Sequence, residues 1–202
     1  MDTKLTDELR RLISSSFKSP ESEWWVRDLS KSYKFFEDEQ LVWIIDGETN
    51  ESLLFYRQLG KEWSRLNDEK TGVPVINKIL LNKPNRAPSP KNNTEQFAKL
   101  LMEWVQEPRG YVCSPSFLKE KSTEIKSYLV KGSAGIDELK RICITPEYLA
   151  SGDNWILKFN VLDVNGSIQQ WRVSGKTSVF GIEKIYRESI YPNGTFYYPD
   201  EL

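Results

Sequence analysis

The stretch Asn154-Trp155-Ile156-Leu157-Lys158-Phe159-Asn160-Val161, with Asn165-Gly166 behind it and Trp171-Arg172-Val173 beyond, decides the fold. Trp155, Leu157, Phe159 and Val161 alternate with Lys158 and Asn160, so the period is two and the segment reads as a strand with one apolar face. Asn165-Gly166 marks a hairpin, and its register follows from side-chain chemistry. A two-residue loop sets Phe159 opposite Arg172, whereas a three-residue loop over 164–166 pairs Phe159 with Trp171 and Leu157 with Val173. The second keeps the face apolar and gives Gly166 the left-handed position such loops need.

Pro192-Asn193-Gly194 repeats the device and predicts a turn joining Ser189–Tyr191 to Thr195–Tyr198. Between the turns, Ile182, Tyr186 and Ile190 fit helical and strand spacing alike; the turn needs a partner before it, which favours strand. Residues 153–200 thus read as an antiparallel meander.

Upstream the pattern is helical. Leu5, Leu9, Leu12, Ile13 and Phe17 predict an amphipathic helix capped by Thr6. Ser19-Pro20-Glu21 predicts a short second helix leading into Trp24, Trp25 and Leu29. Leu41–Ile45 is a continuous apolar run, expected as a strand covered on both faces, and Phe55, Leu59, Trp63 and Leu66 predict a helix after it. Val75–Leu81 reads as a strand before a proline-rich loop. Asn93-Thr94-Glu95-Gln96 resembles a capping box ahead of the apolar stripe Phe97, Leu100, Leu101, Trp104 and Val105. Ser114-Pro115 opens another helix through Ile125 and Leu129, a shorter one covers Ile136–Cys143, and Thr145-Pro146 suggests one more turn.

The expected class is therefore α+β: a mostly helical N-terminal and middle part packed on one face of a C-terminal antiparallel β-meander. The whole of 1–202 reads as a single domain, with 1–70 as a separable subdomain. At the level of architecture this is similar to the NTF2 or cystatin arrangement, although no motif carries either family.

Composition narrows the chemistry. The 202 residues contain no histidine, which removes most catalytic triads, imidazole proton shuttles and zinc sites. With 28 Lys and Arg against 29 Asp and Glu, there is no polyelectrolyte lobe for nucleic acid or an anionic membrane. The first residues are charged, and no apolar run reaches membrane-spanning length, so the expected location is cytoplasmic. Two cysteines, Cys113 and Cys143, are expected as free thiols, because disulfide-dependent small folds are cysteine-dense. The sequons at Asn50, Asn92, Asn165 and Asn193 then carry no glycan.

Several motifs dissolve on inspection. Ser174-Gly175-Lys176-Thr177 mimics a P-loop tail, but Gln170 stands where a glycine is needed and a strand follows where a helix should. Cys113 lies at a loop-to-helix start but has no imidazole to activate it. Glu124-Ile125-Lys126 and Glu138-Leu139-Lys140 fall on expected helices, where they mark solvated faces.

The preferred reading is a non-catalytic protein that binds a small ligand or a protein partner, itself included, through an aromatic sheet face. Trp155, Phe159, Trp171, Tyr186 and Tyr197 would line that face, with Arg172 and Arg187 at its mouth and no cofactor implied. One alternative is a Mg²⁺- or Mn²⁺-dependent enzyme acting on a phosphate-containing substrate through Asp46 and Glu48 at a strand end. Another is nucleic-acid binding through Lys78, Lys83, Arg86 and Lys91, with Trp24, Trp25 or Tyr197-Tyr198 stacking on bases.

Overall fold

The computed structural model describes residues 7–83, 87–106, 110–120, 136–163, 165–178 and 181–195. Among them the chain is α+β, with two antiparallel sheets and five α-helices. It divides into two compact units, Met1–Pro74 with Trp104–Pro108, and Val75–Glu103 with Arg109–Leu202.

The first unit corrects the expectation of a mostly helical N-terminal part. Helix α1 (Asp7–Ser14) is present, burying Leu9 and Ile13 and leaving Leu12 exposed. Ser19-Pro20 opens only a single 3₁₀ turn, and Trp24 and Trp25 fall on strand β1 (Trp24–Asp28). β2 (Glu39–Asp46) is the predicted strand. The helix expected from Phe55 to Leu66 is instead β3 (Ser52–Gln58) followed by the short β4 (Ser64–Arg65), in sheet order β1-β2-β3-β4. Leu53-Leu54-Phe55-Tyr56 has the same four-in-a-row apolar character as Leu41–Ile44, while Leu59, which carried the helical spacing, is 65% exposed. Thr49 and Asn50 belong to the hairpin turn: Asn50 has φ 59°, and Asp46 Oδ1 accepts from the N–H groups of Glu48 and Thr49.

This sheet is covered on both faces. Val42, Ile44, Leu53 and Phe55 pack with Leu9, Ile13, Phe17 and Trp24. On the other face lie Leu41, Trp43, Leu54 and Tyr56. The Tyr56 ring meets Trp104 at 5.6 Å and Phe36 at 6.1 Å, and Tyr33 Oη accepts from Trp104 Nε1.

The predicted strand at Val75–Leu81 is instead part of helix α2 (Glu69–Asn82), which runs from the first unit into the second after Pro74. Asp68 Oδ1 accepts from Thr71 N–H as an N-cap, and Ile76, Ile79 and Leu80 are buried at helical spacing, so packing overrides the β-branched residues and Pro74. α3 (Thr94–Val105) is as predicted, although Glu95 turns to the hydroxyls of Ser114 and Ser116. α4 (Pro115–Glu120) is capped by Ser114 Oγ, which accepts from Phe117 N–H; its expected continuation to Leu129 lies outside the described residues. α5 (Ile136–Ile142) also forms where expected.

The five-stranded sheet has β5 (Tyr111–Val112) and β6 (Glu147–Ser151) both pairing with β7 (Asn154–Leu162), then β8 (Ile168–Lys176) and β9 (Gly181–Tyr191). β6 replaces the helical turn expected near Thr145-Pro146. The argued register holds: Phe159 pairs with Trp171, Leu157 with Val173, and Gly166 has φ 75°. Ile182–Ile190 is strand, and Gly194 also sits at φ 75°; the pairing expected for Thr195–Tyr198 lies largely outside the described residues.

Trp155, Leu157, Phe159, Val161, Trp171 and Val173 form one buried face. α3 contributes Phe97, whose ring lies edge-on to Trp155 at 6.3 Å. Asn77 of α2 closes the outer edge of β9, accepting from Ile182 N–H and donating to Ile182 C=O. Helices do not stay on one face, however. Leu162 and Ile168, on the opposite face, pack with Cys113, Phe117, Leu139, Ile142 and Cys143 from the α4 and α5 region. That cover also buries Asn160, expected at the surface.

Candidate functional site

The rest of that second face is open. Across β6, β7, β8 and β9 the pairing aligns Glu147, Lys158, Arg172 and Tyr186 in one row, and Leu149, Ile156, Ser174 and Lys184 in the next. Directly opposed side chains in such rows lie about 5 Å apart, so each row is a continuous surface. Tyr186 is 53% exposed and Leu149 48%, with Ile156 half-buried beneath them. Lys158, Arg172, Lys176 and Lys184 outnumber Glu147 and Glu188 on this face, giving it positive character. Lys158 is partly neutralised by Glu147 at 3.8 Å. Lys176 donates to Asn154 Oδ1, which leaves Arg172 and Lys184 as the exposed cations beside Tyr186.

The residues expected to line a single aromatic face therefore separate. Trp155, Phe159 and Trp171 are 3%, 0% and 0% exposed, and the Phe159 and Trp171 rings meet at 5.4 Å. A side chain at Gly175 would collide with the Trp155 ring at 2.5 Å, so the space under the indole is filled. Arg187 shares the Trp171 side, its guanidinium 4.3 Å from the ring centroid. Arg172 and Tyr186 are cross-strand partners on the opposite, open face. Tyr197 lies outside the described residues. Leu149, Lys158 and Lys184 were not singled out from sequence. The even positions of β7 pointed to Lys158, whereas Leu149 required knowing that β6 is a strand.

The other candidates are placed as follows. Asp46 is 1% exposed and Glu48 lies in the exposed turn beside it. Burial alone would raise the Asp46 carboxyl, but hydrogen bonds from the Ser19 hydroxyl and from Glu48 and Thr49 outweigh it and hold the group below its ordinary value. Its oxygens thus organise a turn. Among the described residues no group of three or more Cys, Asp or Glu is placed to hold a metal. Lys78 is on α2, Lys83 follows its end and Lys91 is in the loop before α3, so they do not share one loop; Arg86 lies outside the described residues. Trp24 is buried in the first unit with Nε1 donating to Ser19, while Trp25 is half-exposed on the edge strand β1.

The P-loop-like Ser174–Thr177 is a strand end. Asp153 accepts from Thr177 Oγ1 and from Ser178 N–H and Oγ, and the Thr177 hydroxyl above all draws its carboxyl below the usual value. No helix among the described residues is long and apolar enough to cross a membrane. Comparison with protein-family models, with curated proteins and with solved structures finds no match to this chain.

Proposed function

We propose that this protein is a non-catalytic, cytoplasmic binding protein that docks a protein partner on the open face of its five-stranded sheet. The observation that supports it is the pairing of Tyr186 with Arg172 beside the exposed Leu149 and the half-buried Ile156. Tyrosine and arginine contribute contact area and directional hydrogen bonds and are enriched among the residues that dominate the energetics of protein interfaces. The excess of cations favours a partner segment that carries carboxylates around an apolar residue. A small-molecule pocket between the rings is less favoured, because Trp155, Phe159 and Trp171 are already packed against one another and their neighbours.

A photo-crosslinking amino acid at position 186 tests the reading, with Arg65, exposed in the other unit, as the control position. Discrete adducts from position 186, absent from position 65 and weakened by Arg172→Glu, are expected. Equal labelling at both positions, or none at 186, would refute it. Sedimentation across a concentration series then tells whether the occupant is a second copy of the chain.

A further inference from the structure

Cys113 and Cys143 are 30 positions apart, yet their sulfurs meet at 2.7 Å in a buried cluster. Both backbones are held to one residue of β7. Cys113 N–H donates to Asn160 C=O at 2.8 Å, and Asn160 Nδ2 donates at 2.8 Å to the carbonyl of Ile142, the residue before Cys143. Cys143 N–H is fixed in turn to Leu139 C=O at the end of α5. Neither thiol can drift far from the other while the sheet is intact. Both are free thiols, as their small number predicts, and both are buried.

We propose that Cys113 and Cys143 form a reversible dithiol–disulfide pair, a covalent modification site for peroxide oxidants that ties the α4–α5 segment to the sheet. The electron balance is that of two thiols and one peroxide. One sulfur attacks a peroxide oxygen, the O–O bond breaks, and the products are a sulfenic acid and water. The second sulfur then displaces the sulfenic oxygen as a second water, forming the S–S bond. Two electrons pass from the sulfurs to the peroxide, and both thiol protons leave in the waters.

Both residues are buried, Cys113 at 0% and Cys143 at 4% exposure. The hydrogen bond with Cys143, and burial after it, push the Cys113 thiol well above its usual range. Cys113 therefore rests as a protonated thiol, and the burial of both sulfurs slows oxidation. The closed loop contains α4 and α5, so the bond restricts a segment that is otherwise tied down by the apolar cluster, by Ser114 with Glu95 and by Tyr191 with Glu138.

The test uses the full chain, treated with hydrogen peroxide under native conditions, acid-quenched, unfolded and alkylated. The expected result is joint loss of both alkylatable thiols, a mass lower by two hydrogens, a linked Cys113–Cys143 peptide and recovery with dithiothreitol. The oxidised form should melt higher, by up to about 10 °C. Two thiols still alkylatable, a bridge between copies, or a lower melting midpoint would overturn the proposal. Cys143→Ser should abolish the link, but the wild-type result decides even if that variant does not fold.

Discussion

The two sheets are both antiparallel, yet β7, β8 and β9 of one were legible in the sequence, whereas of the other only β2 was. In the four-stranded sheet, β2 and β3 are buried on both faces, so neighbouring residues such as Leu41 and Val42, or Leu54 and Phe55, are all apolar. In the five-stranded sheet, β8 keeps one face largely open, and Trp171, Val173 and Gly175 alternate with Arg172, Ser174 and Lys176. Alternation is thus a record of solvent on one side. Where it is missing, only a short apolar run marks the strand, which sufficed for β2 and not for β3, and where it persists, a surface is free to bind.

The largest effect that would sharpen this contrast is Trp171→Ala. It removes a fully buried indole packed on Phe159 and under Arg187, and should cost about 3–5 kcal/mol in chemical denaturation. Leu41→Ala and Ile44→Ala act on opposite faces of β2 and should each cost about 2–5 kcal/mol. If either were neutral, the claim that both faces of that sheet are covered would fail.

Asn77→Ala breaks both hydrogen bonds to Ile182 and should cost about 1–3 kcal/mol, read as faster amide exchange along β9.

The pH response carries two opposite signs within the first unit. Tyr56, in the first unit, is pushed up to about 12 by burial first and then by Glu39 and Asp38. Its folded value exceeds its unfolded one, so the stability it contributes is complete below about pH 10 and is lost as pH rises toward 12. Absorbance titration should show Tyr56 still protonated at pH 11, and Tyr56→Phe should flatten the alkaline loss of stability. Asp46 has the opposite sign: its folded value lies below its unfolded one, so its contribution is present above about pH 4 and disappears on acidification. Asp46→Asn should make the acid limb of the stability curve shallower.

The smallest effect is expected on the open face. Arg172→Ala should change stability by no more than about 0.5 kcal/mol while weakening partner crosslinking from position 186. A large destabilisation would mean that this face is covered.

Legibility followed solvent exposure. α1, α3 and α5 each bury one stripe, and their spacing was readable. α2 was not, because Gly72, Pro74 and the β-branched residues mask its period and only Asp68 marks its start. Of the candidate site, Arg172 and Tyr186 were visible as residues, but their shared face was not, since the register shift between Ser174 and Gly175 alters which β9 residues lie beside them.

Local pattern alone determined the Phe159–Trp171 register, the turn at Gly166 and the exclusion of imidazole chemistry, because each depends on neighbours in the chain or on composition. Tertiary structure alone decided that Ser52–Gln58 is a strand, that Trp155 and Tyr186 face opposite ways, and that Cys113 meets Cys143. Those outcomes depend on which distant surfaces exclude water together, and that information is not contained in any short window of sequence.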